Sequence, residues 1–229
     1  MKVSILDYYL RGRKQKTMTT PDYKQIMQRK YRILSLFIDL YEFIFIFNKE
    51  RNPRRVLAGR IPEKNLRILD VCFGTGNGSM PFWDTSNIIV GVDLSFDMLA
   101  ASKKKILRQR RRNVFIHQMD AANMGFHDGQ FDIIMVAFGL HDMEYDLMLC
   151  VLKEMHRVLR KGGRLYILDY EEEGTLLKRL IFSLYLRISY PRHVQEFLKY
   201  DWNQILGSVG FRFDLAETYT VSKLVSATK

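Results

Sequence analysis

Residues 66–78 read LRILDVCFGTGNG, and the fold follows from this stretch. The run at 68–71 is apolar apart from Asp70, which is typical of a parallel strand buried on both faces. The glycines of the turn at 74–78 permit positive φ and let the backbone approach a ligand closely. We expect residues 79–83 to begin a helix whose free N–H groups face that ligand. The stretch predicts a nucleotide-type cradle, although a simple tight turn between strand and helix is the alternative.

A second predicted strand supplies a carboxylate that suits such a cradle. Residues 88–92 (IIVGV) are apolar and are followed by Asp93, about 20 residues past the glycines, where a carboxylate can bind two ribose hydroxyls. A third strand over 114–118 precedes Asp120, and a fourth over 131–137 ends in small residues. This order predicts a nucleoside-containing cofactor at the carboxyl edge of a parallel sheet.

A redox dinucleotide-binding enzyme is the competing interpretation of the glycine turn. Its G-x-G-x-x-G signature needs a third glycine. Ser79 stands where that glycine would follow Gly74 and Gly76. The turn therefore favours a different nucleoside cofactor.

The rest of the chain alternates predicted helices with predicted strands. Ser95 is a candidate helix N-cap, and we expect Gly162 and Gly163 to end a helix through a left-handed turn. The elements, in chain order, are helix 97–110, helix 146–160, strand 164–170, helix 175–188, helix 202–209, and an antiparallel hairpin of strands 211–217 and 219–227.

The positive charge is concentrated before the predicted fold. The 229 residues carry a net charge of +11, and residues 1–65 hold 15 Lys/Arg against 6 Asp/Glu. Such a basic segment indicates an anionic lipid surface, a nucleic acid or an acidic substrate, with a merely solvated face as the alternative.

An apolar segment follows within the basic region. The pattern of residues 33–47 predicts a helix that is apolar except for one narrow polar stripe. This helix is too short to span a bilayer. It is expected to cover the ligand-binding edge, and in a second interpretation it contacts a membrane surface as well. Pro53 and Pro62 mark an expected linker, so we predict a basic helical N-terminal cap over 1–62 and a catalytic domain over 63–229.

The two cysteines, Cys72 and Cys150, give no disulfide framework, and we expect both to be buried thiols in a reducing compartment. The first residues do not resemble a secretory signal. We expect a cytoplasmic protein, either free or attached peripherally to the inner face of the membrane. No Cys/His constellation indicates a metal.

Four successive motifs resemble those of class I S-adenosylmethionine-dependent methyltransferases. They are LDVCFGTGNG (69–78), GVDLSFDML (91–99), QMDAANMGFHDGQFDIIMVAFGL (118–140) and LKEMHRVLRKGGRLYIL (152–168). The resemblance implies an α/β, Rossmann-like, seven-stranded mixed sheet of order 3-2-1-4-5-7-6 with the last strand antiparallel. It also implies helices on both faces, an N-terminal helical cap, and a helical cap insertion over 174–193.

Within that class the chain is most similar to the UbiE/Coq5 type, which C-methylates the ring of quinone precursors. Residues 70–76 match that group's D-x-A-x-G-T-G, with Cys72 in the small-residue position. Residues 138–140 match its F-G-L, and residues 168–170 resemble its L-E-F. The resemblance implies an apolar small-molecule acceptor such as a quinone precursor.

The same resemblance implies which residues hold S-adenosylmethionine. Asp93 would bind the ribose and Asp120 the adenine amino group. The other implied cofactor contacts are Asp70, Gly74, Gly76 and Ala137 on the methionine side, Leu94 and Ala121 on adenine, and Cys72, Thr75 and Met98 nearby.

His141 and Asp142 stand where that group usually has Arg-Asn, and Ile38-Asp39 where it has Tyr-Asp. His141 is the predicted general base, with Asp142 orienting it, since a ring carbon must lose a proton. An ordinary hydrogen-bonded loop pair is the alternative. Tyr41 and Tyr185 are predicted to contact the acceptor from the two capping helices.

Three other functions remain open from the sequence. A phosphatidylethanolamine N-methyltransferase shares the glycine-turn spacing up to Pro81 and a basic amphipathic start. A nucleic-acid methyltransferase suits the charge, but it would carry N/D-P-P-Y/F after strand four, where the chain has MVAFGLHD. A cofactor-binding protein without catalytic activity is the third.

Overall fold

A computed structural model of the chain describes residues 53–61, 64–171, 192–219 and 222–229. The predictions for residues 1–52 of the basic segment, which include the apolar helix 33–47 with Tyr41, lie outside the described residues, as does the predicted helix 175–188 with Tyr185. The division of the chain at residue 62 stays a prediction. None of the helices in the described ranges combines the length and apolarity needed to cross a membrane.

The described residues form one seven-stranded sheet of order β3-β2-β1-β4-β5-β7-β6. Its strands are β1 (Arg67–Val71), β2 (Ile88–Asp93), β3 (Val114–Gln118), β4 (Phe131–Ala137), β5 (Leu159–Tyr170), β6 (Arg212–Tyr219) and β7 (Ser222–Thr228). The first five run parallel, and β7 lies antiparallel between β5 and β6. The predicted strand order and the antiparallel last strand are confirmed.

Alternate residues of each strand face opposite sides of the sheet, so a strand that is apolar throughout gives the sheet two apolar faces. Helices cover both of these faces. They are α1 (Pro53–Gly59), α2 (Phe96–Arg108), α3 (Tyr145–Val158), α4 (Arg192–Phe197) and α5 (Trp202–Ser208). In β1, Leu69 and Val71 join the core under α3 and α5, whereas Ile68 joins the core under α1 and α2.

This topology places the functional edge. The strand order runs outward in opposite directions from β1 and β4, which are neighbours. Parallel α/β sheets bind ligands at such a switch point, beyond the carboxyl ends of the strands. The loops after β1, β2 and β4 therefore meet at one edge.

The prediction that a helix begins over residues 79–83 is wrong. Only a 3-10 turn, Met80–Phe82, follows the glycine turn. Phe82 and Trp83 are 2% and 1% exposed, and Trp83 stacks on Phe73 with ring centroids 6.3 Å apart. Burying two consecutive large rings and entering β2 at Ile88 leaves no room for a regular helix.

The predicted end of the 146–160 helix is also wrong. Helix α3 ends at Val158, and Gly162, with φ of 70°, lies within β5. The side chain of Lys229 ends α3 instead: its Nζ donates to the carbonyls of His156, Arg157 and Leu159 at 2.7, 3.3 and 2.8 Å. A cation at a helix C-terminus also complements the helix dipole.

Three local expectations need correction. Pro53 begins helix α1, whose Leu57 is fully buried, rather than a linker. The short helix α4 is absent from the sequence prediction. Cys150 is exposed because α3 buries Met148, Val151, Leu152 and Met155 on its other side, and Cys72 is only half-buried.

Candidate active site

The glycine turn after β1 is shaped by the rings beneath it. Gly76 has φ of 83°, and a Cβ atom there would lie 2.6 Å from Cζ2 of Trp83. A Cβ at Gly78 would lie 3.1 Å from Cβ of Ala137, at the end of β4. The turn therefore packs closely against the end of β4, as a cofactor cradle at this edge requires.

Asp93 joins the tips of β1 and β2. Its Oδ2 accepts from the N–H of Gly74 at 2.7 Å, and its Oδ1 accepts from the N–H of Ser95 at 2.8 Å. Ser95 also caps α2 by accepting from the N–H of Met98 at 3.3 Å, which confirms the predicted N-cap. Burial raises the pKa of Asp93, partly opposed by these backbone donors.

Asp70 points into the opposite side of the cradle and is 1% exposed. Ser79 donates to its carboxylate through both hydroxyl and backbone N–H, and Arg54 lies near. Burial nevertheless raises the pKa of Asp70 to about 7. Among the described residues nothing donates to its Oδ2, and a buried acceptor without a donor suits a ligand's ammonium group.

The residues predicted to hold adenine lie at the neighbouring tips. Leu94, Asp120 and Ala121 are half-buried beside the end of β2. Gln118 donates to the carbonyl of Leu94 at 3.0 Å, and Asp120 Oδ1 accepts from the N–H of Ala122 at 3.1 Å. The tertiary structure thus places them at the same edge as Asp93. Two other predicted contacts, Met98 and Thr75, are almost completely buried, at 1% and 5% exposure.

The loop after β4 touches the loop after β1. A Cβ at Gly139 would lie 2.5 Å from Cβ of Cys72. The pKa of the Cys72 thiol is raised by burial and then by Asp93, Asp70, Asp169 and Asp142, so the thiol is not a nucleophile at neutral pH. Four carboxyl groups therefore lie around this part of the edge, an arrangement that suits a cationic cofactor.

His141 lies in a 3-10 turn, Leu140–Asp142, just after β4 and is 2% exposed. Its Nδ1 is 2.7 Å from Oδ1 of Asp169, whereas its Nε2 is 3.8 Å from Oδ2 of Asp142. The short contact is thus to Asp169, a residue that the sequence prediction did not include. The sequence feature that could have identified Asp169 as a site residue was the match of residues 168–170 to the L-E-F motif, in which Asp169 occupies the acidic position.

Aromatic rings enclose this histidine. The ring of Tyr170 lies 4.6 Å from that of His141, and the ring of Phe197 lies 6.3 Å away. Phe138 contacts Tyr170 at 5.2 Å, and the guanidinium of Arg54 lies 5.6 Å from the Phe138 ring. An apolar, planar acceptor fits such surroundings better than a highly charged one.

The sheet order and this edge define the class of the protein, an S-adenosylmethionine-dependent methyltransferase. The residues fit that cofactor on structural grounds: Oδ2 of Asp70 is a buried acceptor without a donor among the described residues, Asp93 lies at the neighbouring strand tip, and glycines keep the cradle open.

The particular family follows from sequence comparison. The model of the ubiE/COQ5 methyltransferase family matches residues 38–204, and the chain belongs to that family. A demethylmenaquinone methyltransferase from Staphylococcus epidermidis is 30% identical over 190 residues, covering 79% of this chain and 77% of that protein. The predicted resemblance is confirmed.

Solved structures agree on the fold. A SAM-dependent methyltransferase from Aquifex aeolicus has a TM-score of 0.62 at 19% identity, with 92% of this chain and 98% of that chain covered. The phosphoethanolamine N-methyltransferase 2 of Haemonchus contortus, solved with S-adenosyl-L-methionine, has a TM-score of 0.68 at 18% identity, with coverages of 94% and 61%. At these identities the likeness concerns the fold alone.

Proposed function

We propose that the protein methylates a ring carbon of an apolar quinone precursor, with demethylmenaquinone as the leading acceptor. The observation that carries this proposal is the 30% identity to a demethylmenaquinone methyltransferase over most of both chains. The likeness to a phosphoethanolamine enzyme rests on fold at 18% identity and does not favour a phospholipid acceptor.

The aromatic surroundings of His141 support a planar acceptor. Tyr170 packs against both His141 and Phe138, and Phe197 continues the wall towards Tyr200 at 5.6 Å. These rings bury apolar surface and exclude water from the space beside the cofactor edge. Tyr41 and Tyr185 stay predicted contacts from the capping segments.

When bound, S-adenosylmethionine supplies an electrophilic methyl group on its sulfonium. We assign its methionine side to Asp70, Gly74 and Gly76, and its ribose to Asp93. The chain's own task is to align the acceptor carbon and exclude water. Carbon methylation would form one C–C bond as the S–CH3 bond of the sulfonium breaks, and it would release the proton of that ring carbon. We assign this proton to His141, with Asp142 close to the Nε2 that receives it.

The test is a methyl-transfer assay on the full chain with isotopically labelled cofactor. Demethylmenaquinone, phosphatidylethanolamine vesicles and nucleic acid are offered separately, and products are identified by mass spectrometry. We expect label on the quinone ring only, and none when the protein is omitted. Label on the phospholipid or the nucleic acid, or on no acceptor, contradicts the proposal.

We also propose that residues 1–60 hold the protein at an anionic membrane surface, where an apolar quinone precursor would dissolve. The support is the excess of Lys/Arg over Asp/Glu in residues 1–65. Cations near an anionic surface contribute about 1 kcal/mol each.

Vesicle flotation tests this membrane contact. Replacing Arg11, Arg13, Lys14 and Lys16 with Gln should lower the fraction that floats with anionic vesicles. The matched control replaces four exposed cations in or just after the C-terminal half of α2, towards the edge opposite the site: Lys103, Lys104, Arg108 and Arg112. Equal flotation of both variants would remove this proposal.

A further inference from the structure

We infer that Asp169 is a positioning residue for methyl transfer, because it fixes the tautomer of His141 that leaves Nε2 able to take the acceptor's proton. This inference rests on the proposed function of His141 as the base. Asp169 touches neither cofactor nor acceptor in this scheme. It acts through the histidine.

The geometry selects one tautomer. A neutral imidazole carries one N–H, and an ionised carboxylate can only accept hydrogen bonds. Oδ1 of Asp169 lies 2.7 Å from Nδ1, and both side chains are only 3% exposed. The proton of the neutral ring therefore lies on Nδ1, and the lone pair lies on Nε2, as when a carboxylate orients a metal-binding or catalytic histidine.

The carboxylate of Asp169 is itself held in place. Its Oδ2 accepts from the backbone N–H groups of Leu140 and His141 at 3.0 and 3.3 Å, and its Oδ1 also accepts from the N–H of Tyr170 at 2.8 Å. Asp169 thus joins the end of β5 to the turn after β4. The ring and the backbone that carries it are oriented by the same group.

The surroundings favour the charged ring once it has taken a proton. Asp142 lies 3.8 Å from Nε2 on the same turn, and Asp169 lies at Nδ1 from β5. Tyr170 from β5 and the Cys72 thiol after β1 also lie near this turn, and the guanidinium of Arg54 from α1 lies 5.6 Å from the centroid of the neighbouring Phe138 ring. The two carboxylates next to the His141 ring stabilise an imidazolium.

Nitrogen NMR of the unliganded chain tests the tautomer directly. The His141 signals are assigned by their loss in His141→Gln. We expect the neutral ring to carry its proton on Nδ1 in the wild type and in Asp142→Asn. In Asp169→Asn the amide can donate to Nδ1, so we expect the proton on Nε2. A wild-type ring protonated on Nε2 overturns the inference, whatever the variants do.

Kinetics test the consequence. At saturating cofactor, Asp169→Asn should lower kcat about 100-fold, the lower end of what a positioned base contributes. The KM for S-adenosylmethionine should stay unchanged, and Asp169→Glu should restore part of kcat. The remaining rate of Asp169→Asn should reach half its plateau at lower pH, since removing a carboxylate disfavours the imidazolium.

These experiments distinguish failure of the Asp169 inference from failure of the proposed function on which it rests. If Asp169→Asn binds S-adenosylhomocysteine normally by calorimetry yet keeps the wild-type kcat, Asp169 has no positioning role. If His141→Gln keeps the wild-type kcat, the assigned base is wrong and the catalytic part of the inference fails with it. If the wild type methylates no quinone, the proposed function fails, and the NMR experiment still decides the tautomer.

Discussion

At the scale of single residues, the cradle depends on a carboxyl group held near neutrality. Burial raises the pKa of Asp70 from 3.8 to about 7, so in the unliganded protein the group is partly protonated at neutral pH. A cofactor that carries an ammonium and a sulfonium binds best to the ionised form. The same group therefore couples affinity and stability to pH.

We predict that affinity for S-adenosylmethionine falls as pH is lowered from about 8 to about 6, and that Asp70→Asn removes most of this dependence. Calorimetry across that range measures it. Asp93→Asn, which alters the ribose side, should weaken binding but keep the dependence on pH. If affinity falls equally with pH in the wild type and in Asp70→Asn, another group causes the pH dependence.

The free energy of unfolding should depend on pH in the opposite direction to cofactor affinity. A raised pKa in the folded state means that the contribution of Asp70 is full below pH 3.8 and is lost as pH rises through about 7. We expect Asp70→Asn to stabilise the unliganded chain at pH 8 by about 2 kcal/mol, since no buried charge remains. Urea unfolding at pH 8 and pH 5 measures this, with a smaller gain at pH 5.

The glycine turn offers a second test at this scale. Gly76→Ala puts a Cβ 2.6 Å from Trp83 and 2.9 Å from Phe73 at a positive φ. We expect a loss of about 2 kcal/mol or more in unfolding free energy, together with weaker cofactor binding. Gly207→Ala is the matched control, because its Cβ meets nothing within 4 Å on helix α5. Equal unfolding curves for the two variants would show that the turn can relax.

At the scale of elements, Asp93 joins two strand tips and offers the ribose contact in one side chain. We predict that Asp93→Ala abolishes measurable cofactor binding, because the carboxylate that also holds the N–H groups of Gly74 and Ser95 is lost. Asp84→Ala removes an exposed carboxylate before β2, away from this edge, and should bind normally. Unchanged calorimetric affinity in Asp93→Ala would overturn the ribose assignment.

Helix α3 depends on a side chain from the far end of the described chain. The Lys229 ammonium caps its last carbonyls, and the pKa of His156 is lowered by burial and then by Lys229. We predict that Lys229→Met costs about 1 kcal/mol of stability and raises the His156 pKa. Thermal unfolding and NMR titration measure the two effects. Lys153→Met, on the exposed side of α3, should change neither.

At the scale of the whole molecule, the sheet order gathers side chains that lie far apart in sequence. Asp70, Asp93 and Asp169 lie at the carboxyl ends of three strands, and His141 lies just after a fourth. The order β2-β1-β4-β5 brings those strand ends together. The edge brings carboxyl groups around the glycine turn and aromatic rings around His141. Charged groups and apolar surface thus lie within one site.

The pattern of the sequence was sufficient for the strands, the cofactor class and the family. Short, nearly continuous apolar runs that end at carboxylates or small residues depend on neighbours within about ten residues, so local patterns encode them. The same locality explains the errors: the helix over 79–83 was expected from the glycine turn alone, whereas burial of Phe82 and Trp83 decides that segment.

Only the tertiary structure decided which groups act on one another. Sequence adjacency suggested Asp142 as the partner of His141, yet the short contact is to Asp169, 28 residues away. A glycine pair was expected to end α3, yet the helix is capped by Lys229, which lies just after β7. Hydrogen bonds act over about 3 Å, and such distances between remote segments follow from strand order and packing, which no local pattern specifies.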